Sequence, residues 1–154
     1  MTKLSGGNDT STQVAILAAI EREFAHTTYI FPEDTNETMT FIAAAANTWG
    51  AWTEIVDNNG VTFSSKLAAL SGHITVIVVE TVSVNAQRYM IELAYGAAKT
   101  LISPIRLYSG AVPKQDTRVH GVVIPAGEKV YYRAKCSQAG PQSCVGHLRY
   151  HFHS

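Results

Sequence analysis

The chain has 154 residues and a mass of 16.7 kDa, enough to bury one core. Hydrophobic residues make up 46% of it and charged residues only 16%, which excludes a disordered tail and leaves less charge than a free monomer usually carries. Twelve Lys+Arg balance twelve Asp+Glu, which excludes a generic electrostatic nucleic-acid binder.

The charge is unevenly spread. Residues 1–77 hold eight acids and three bases, a net of −5; residues 78–154 hold four acids and nine bases, a net of +5. That asymmetry suits a head-to-tail contact between copies, or two halves of one sheet system that neutralise each other. Arg106, Lys114, Arg118, Lys129, Arg133 and Lys135 are the basic candidates for such a contact. No apolar run approaches ~18 residues, so no transmembrane helix and no membrane partner is expected. The polar Met1–Thr12 stretch does not read as a secretory signal.

In chain order, the first twelve residues read as a flexible arm. Thr10 and Gln13 fit a capping box, and Val14, Leu17 and Phe24 follow at roughly helical spacing. A helix is expected over Ser11–Ala25, with these three side chains as a stripe that must be buried against a partner. Pro32 and the acidic, Thr-rich Glu33–Thr38 stretch then read as a linker. Residues 1–38 are therefore expected to be an attachment arm and 39–154 a separate β-domain.

From Met39 onward Val, Ile, Thr and Tyr dominate, and turn signals recur about every ten residues. Expected strands are Met39–Ala45, Trp52–Val56, Val61–Ser64, His73–Ser83, Arg88–Ala94, Leu101–Tyr108, Val119–Ile124, Lys129–Ser137 and Val145–His153. The Asp57-Asn58-Asn59-Gly60 run is a hairpin turn, since Asn and Gly accept positive φ cheaply. Many short strands without intervening helices predict a mainly β fold, an antiparallel β-sandwich of jelly-roll type with an N-terminal helix and arm. Ile74–Val79 is nearly continuously apolar and should be a central strand. The tail alternates strictly: Leu148, Tyr150 and Phe152 point one way, and His147, Arg149, His151 and His153 the other.

The histidines are the sharpest chemical feature. His147, His151 and His153 on one strand face could ligate zinc or iron in a cupin-like protein, or form a solvated or subunit-facing edge in which His151 and His153 meet a partner. His73 and His120 read as strand-boundary residues. Cys136 and Cys144 flank one loop and could form a disulfide if their Cα atoms lie within about 7 Å. Trp49 and Trp52, three apart, read either as core anchors or as a sugar-stacking platform. Glu80, Glu92 and Glu128 have no spacing that pairs them for acid–base work, and no phosphate loop or nucleophile motif is present, so no catalytic residue and no cofactor is expected.

Three segments occur in order: Ala46-Asn47-Thr48-Trp49-Gly50-Ala51-Trp52-Thr53-Glu54-Ile55-Val56, then Tyr89-Met90-Ile91-Glu92-Leu93-Ala94-Tyr95-Gly96, then Ile124-Pro125-Ala126-Gly127-Glu128-Lys129-Val130-Tyr131-Tyr132-Arg133-Ala134. The set resembles a group of small β-sandwich structural proteins of tailed bacteriophages, over roughly residues 46–153. The resemblance implies a non-enzymatic virion component, above all a capsid decoration (cement) protein that is made in the host cytoplasm. Its expected partners are the major capsid protein and further copies of itself, with a trimer favoured. A tail or neck module, in which Trp49 and Trp52 or the Cys136–Cys144 loop contacts a receptor or sugar, is the alternative. A cupin-like metal protein is the lower one.

Overall fold

A computed structural model describes residues 12–17, 27–109 and 115–153. The fold is mainly β, a mixed sheet that curls almost into a barrel, with a short N-terminal helix. Residues 12–17 are helical (α1). The strands are β1 (Tyr29–Phe31), β2 (Met39–Ala46), β3 (Thr53–Glu54), β4 (Gly72–Val82), β5 (Arg88–Tyr95), β6 (Thr100–Tyr108), β7 (Gln115–Arg118), β8 (Val130–Cys136) and β9 (Gln142–Phe152), with a one-turn helix α2 (Phe63–Lys66) between β3 and β4. Their spatial order is β6-β5-β8-β2-β9-β4-β7; β1 adds to β9 and β3 to β8.

Most of the expected strands stand within two residues of their predicted bounds. Alternation builds them: Tyr89, Ile91 and Leu93 of β5 are buried while Arg88 faces water and Met90 and Glu92 are half-buried. In β9, Cys144, Leu148 and Tyr150 point inward, and His147, Arg149 and His151 outward. Phe152 is only half-buried, edge-on to Tyr29 at 4.9 Å between ring centroids. β4 is central as expected, lying between β9 and β7, with Ile77, Val78 and Val79 buried in succession.

The core runs from Phe31, Met39 and Phe41 through Ile55, Phe63 and Ile74 to Leu93, Tyr132, Leu148 and Tyr150. Aromatic edges knit it. Phe63 meets Phe31 at 5.5 Å and Tyr150 at 5.1 Å, and Phe41 meets Tyr132 at 4.9 Å between centroids.

Four expectations need correction. The sandwich is not wholly antiparallel, because β2 and β8 run parallel. The sheet also begins ten residues early: β1 lies within the segment read as arm and linker, pairs antiparallel with β9 and buries Phe31 in the core. Tyr29-Ile30-Phe31 is a short apolar run whose signal was masked by the Pro32 that follows it.

Residues 61–64 do not form a strand. Thr62 caps α2 by accepting from the Ser65 N–H at 3.3 Å, and only Phe63 of the turn is buried. Ser64 serves the sheet otherwise, donating to Glu54 at 3.1 Å and accepting from the Val130 N–H at 3.0 Å. Residues 119–124 are a connection pinned by an isolated Gly72–Ile124 bridge; the strand that flanks β4 on the side away from β9 is the polar β7 before it. An edge strand tolerates polar residues, so hydrophobic pattern alone misplaces it.

Of the expected helix over Ser11–Ala25, residues 12–17 are helical, and Phe24 lies outside the described residues.

Candidate interaction surfaces

The turns place the outward-facing side chains. At the start of β2, Asp57 accepts from the N–H groups of Asn59 at 2.9 Å and Val61 at 2.8 Å, and Gly60 follows at φ +85°. The Asp57–Gly60 run is thus the expected turn, with the carboxylate spent on backbone rather than on a cation. Asn58 is stitched to Thr38 just before β2, accepting its N–H at 2.9 Å and donating its own N–H to the Thr38 carbonyl at 2.9 Å.

The outer face of β6-β5-β8 carries the two tryptophans. Both are half-buried, and neither belongs to the core, which corrects their reading as core anchors. The Arg133 guanidinium lies 4.9 Å from the Trp49 ring centroid and 4.6 Å from that of Trp52, and the Lys135 ammonium lies 4.6 Å from Trp49. Cations thus occupy ring faces that a stacked sugar would need. Arg133 also donates to Glu92 at 2.6 Å. Cross-strand register fixes this set: β5 and β8 pair so that Glu92 stands opposite Arg133 and Met90 opposite Lys135.

Beside it is a shallow depression of about 390 Å³ lined by Asn47, Arg88, Met90, Arg106, Lys135 and Ser137. Of the other basic candidates, Lys129 pairs with Glu54 at 2.9 Å, Arg118 is exposed on β7, and Lys114 lies outside the described residues.

The histidines divide into two places. His147 Nδ1 pairs with Glu80 at 2.7 Å, away from the other two. His153 Nε2 instead meets His73 Nδ1 at 2.7 Å, and His151 Nε2 meets the Thr28 hydroxyl at 2.9 Å. The His73 ring stands 5.3 Å from His151 and 4.7 Å from His153, centroid to centroid. The expected His147, His151, His153 trio is therefore not one group, because His147 stands at mid-strand opposite Val78, four residues along β9 from His151 opposite His73. His73, read as a boundary residue, joins the cluster because β4 pairs His73 with His151. Cross-strand register was the missing signal. Among the described residues, no group of three or more His, Cys, Asp or Glu is arranged to hold a metal ion.

Cys136 and Cys144 are free and buried. They stand on β8 and β9, with β2 running between them, so the loop that joins the two strands does not make them neighbours in the sheet. Burial pushes the Cys144 thiol up to about 12, and Cys136 adds to the rise. Such a thiol is a packed side chain and a poor nucleophile. Val14 and Leu17 of α1 are exposed.

No family model matches the chain, and no curated protein matches it. Among solved structures it is similar to a chain from the structure of infectious bursal disease virus, Gt strain, at 15% identity and a TM-score of 0.38. That match covers 84% of this chain and 33% of the viral one, so this chain spans about a third of its length.

Proposed function

We infer that the protein is a non-enzymatic virion structural protein that sits on a bacteriophage capsid and reinforces its lattice, acting as an oligomer. The observation that carries this reading is α1. Val14, Ile16 and Leu17 are 66%, 53% and 59% exposed, and the core of the sheet includes none of them. Three apolar side chains on two turns of helix need a surface to cover them, and the major capsid protein is the proposed one. The resemblance of three motifs to those of phage β-sandwich proteins supports the class of partner, and many identical copies would make a small contact effective through avidity.

The test is particle binding. A Val14→Asp, Leu17→Asp variant keeps its β-sheet circular dichroism and loses binding to capsids that lack the protein. Undiminished binding overturns the role of α1. A virion reconstruction then decides position: hundreds of copies on the capsid support decoration, whereas tens of copies at the tail or neck overturn it. Stoichiometric zinc or iron in the purified protein would overturn the metal-free reading.

A further inference from the structure

We propose that the depression on the β6-β5-β8 face receives the acidic β1–β2 turn of a second copy, so that the protein assembles head to tail. This goes beyond capsid binding and does not depend on it.

Arg88, Arg106 and Lys135 converge on the depression around Met90. Among the described residues none of the three is in an ion pair; Arg88 leans on the Tyr108 ring at 5.8 Å and Lys135 on Trp49 at 4.6 Å. Rings hold these two cations in place without neutralising them, so the depression carries three uncompensated positive charges.

The complementary feature is the turn that precedes β2. Glu33 and Asp34 are exposed and Glu37 is half-buried. Asp34 accepts from the Asn36 N–H at 2.8 Å, which shapes the turn, and Glu37 accepts from Asn59 at 2.6 Å. Among the described residues, Lys66 at 3.0 Å from Glu33 is the one cation paired with these three carboxylates, leaving two negative charges. The turn is therefore preformed and acidic where the depression is preformed and basic.

One molecule cannot join the two. The acidic turn ends at Thr38, directly before β2, and the depression includes Asn47, directly after it. Eight residues of strand separate them by roughly 26 Å at ~3.3 Å per residue. The sites lie at opposite ends of the same strand, so only a neighbour can supply the missing half. Two copies about a two-fold axis can exchange turns reciprocally, and a heterologous contact closes into a ring where the rotation per copy allows.

The experiment uses the purified full chain, without particles, so its outcome is independent of capsid binding. Light scattering and sedimentation at micromolar concentration in 0.1 M salt should show an oligomer that dissociates at 1 M, where the Debye length falls from about 10 Å to about 3 Å. Arg106→Glu and Asp34→Lys, each checked by circular dichroism, should each weaken assembly at least tenfold. An equimolar mixture of the two should form a 1:1 heterodimer, because one supplies an intact turn and the other an intact depression. Should either variant misfold, Lys135→Glu or Glu37→Lys replaces it.

A monomeric wild type overturns the proposal, as does an oligomer indifferent to both charge reversals. If only one reversal disrupts assembly, or if the mixture forms no heterodimer, the neighbour's turn is not what the depression holds.

Discussion

Gly146 of β9 lies directly against the carbonyl of Val78 on β4, with no room for a Cβ between them. The close approach comes where the β4–β9 ladder slips between Val79 and Thr81. Backbone atoms cannot yield as a flexible side chain can. Gly146→Ala should therefore destabilise the domain by about 1–3 kcal/mol, the usual cost of overpacking, read from chemical denaturation. A cost below ~0.5 kcal/mol, within the range of neutral surface changes, would mean that the strands separate freely here.

The boundary of the sheet gives a contrast. Phe31→Ala removes a fully buried ring that packs on Phe63, and should cost about 3–5 kcal/mol. Leu17→Ala, at an exposed position, should change stability by less than ~0.5 kcal/mol. Equal effects would place α1 in the same core as β1.

Arg133 links Glu92 to two indoles. Its side chain is partly open to solvent, so screening limits the ion pair, and Arg133→Ala should cost only about 1–2 kcal/mol. The more direct readout is tryptophan emission, which should shift when both rings lose their cation. Unchanged emission would count against the stacked arrangement.

Alkaline pH should weaken the fold. Burial raises Cys144 from its ordinary 9.0 to about 12, and burial, with Glu33 and Tyr29 nearby, raises Tyr150 from 10.0 to about 12. Both groups hold their protons more tightly in the folded state. Their contribution is complete below pH 9, the ordinary thiol value, and is lost as pH climbs toward 12. Denaturation midpoints should fall steadily over that window. At pH 8 Cys144 should resist a thiol reagent until the protein unfolds; rapid labelling of the native state would contradict its burial.

Much of this fold was legible in the sequence because period-2 alternation records which face is buried. β5 and β9 declare themselves residue by residue, and the Asp57–Gly60 turn follows from residues that tolerate its geometry. What alternation cannot record is which strand lies beside which. The parallel β2–β8 pair, the meeting of His73 with His153 and the parting of His147 toward Glu80 all depend on register between distant segments. Tyr29–Phe31 and Gln115–Arg118 were missed for a related reason: strands of three and four residues at the margin of a sheet are too short to show a period.

The position of β9 also constrains how the chain can fold. It is the last strand in sequence, yet it sits between β2 and β4 and takes up β1 as well. Until it is synthesised, β2 and β4 each present an unpaired backbone edge, and Phe31 has no strand to hold it in the core. Folding must therefore wait for contacts between residues more than a hundred positions apart, such as Tyr29 with Tyr150. Long-range pairing of this kind is slow, and the waiting edges are open to the same edges on other nascent chains. Refolding yield should therefore fall as protein concentration rises, more steeply than the small size of the chain suggests.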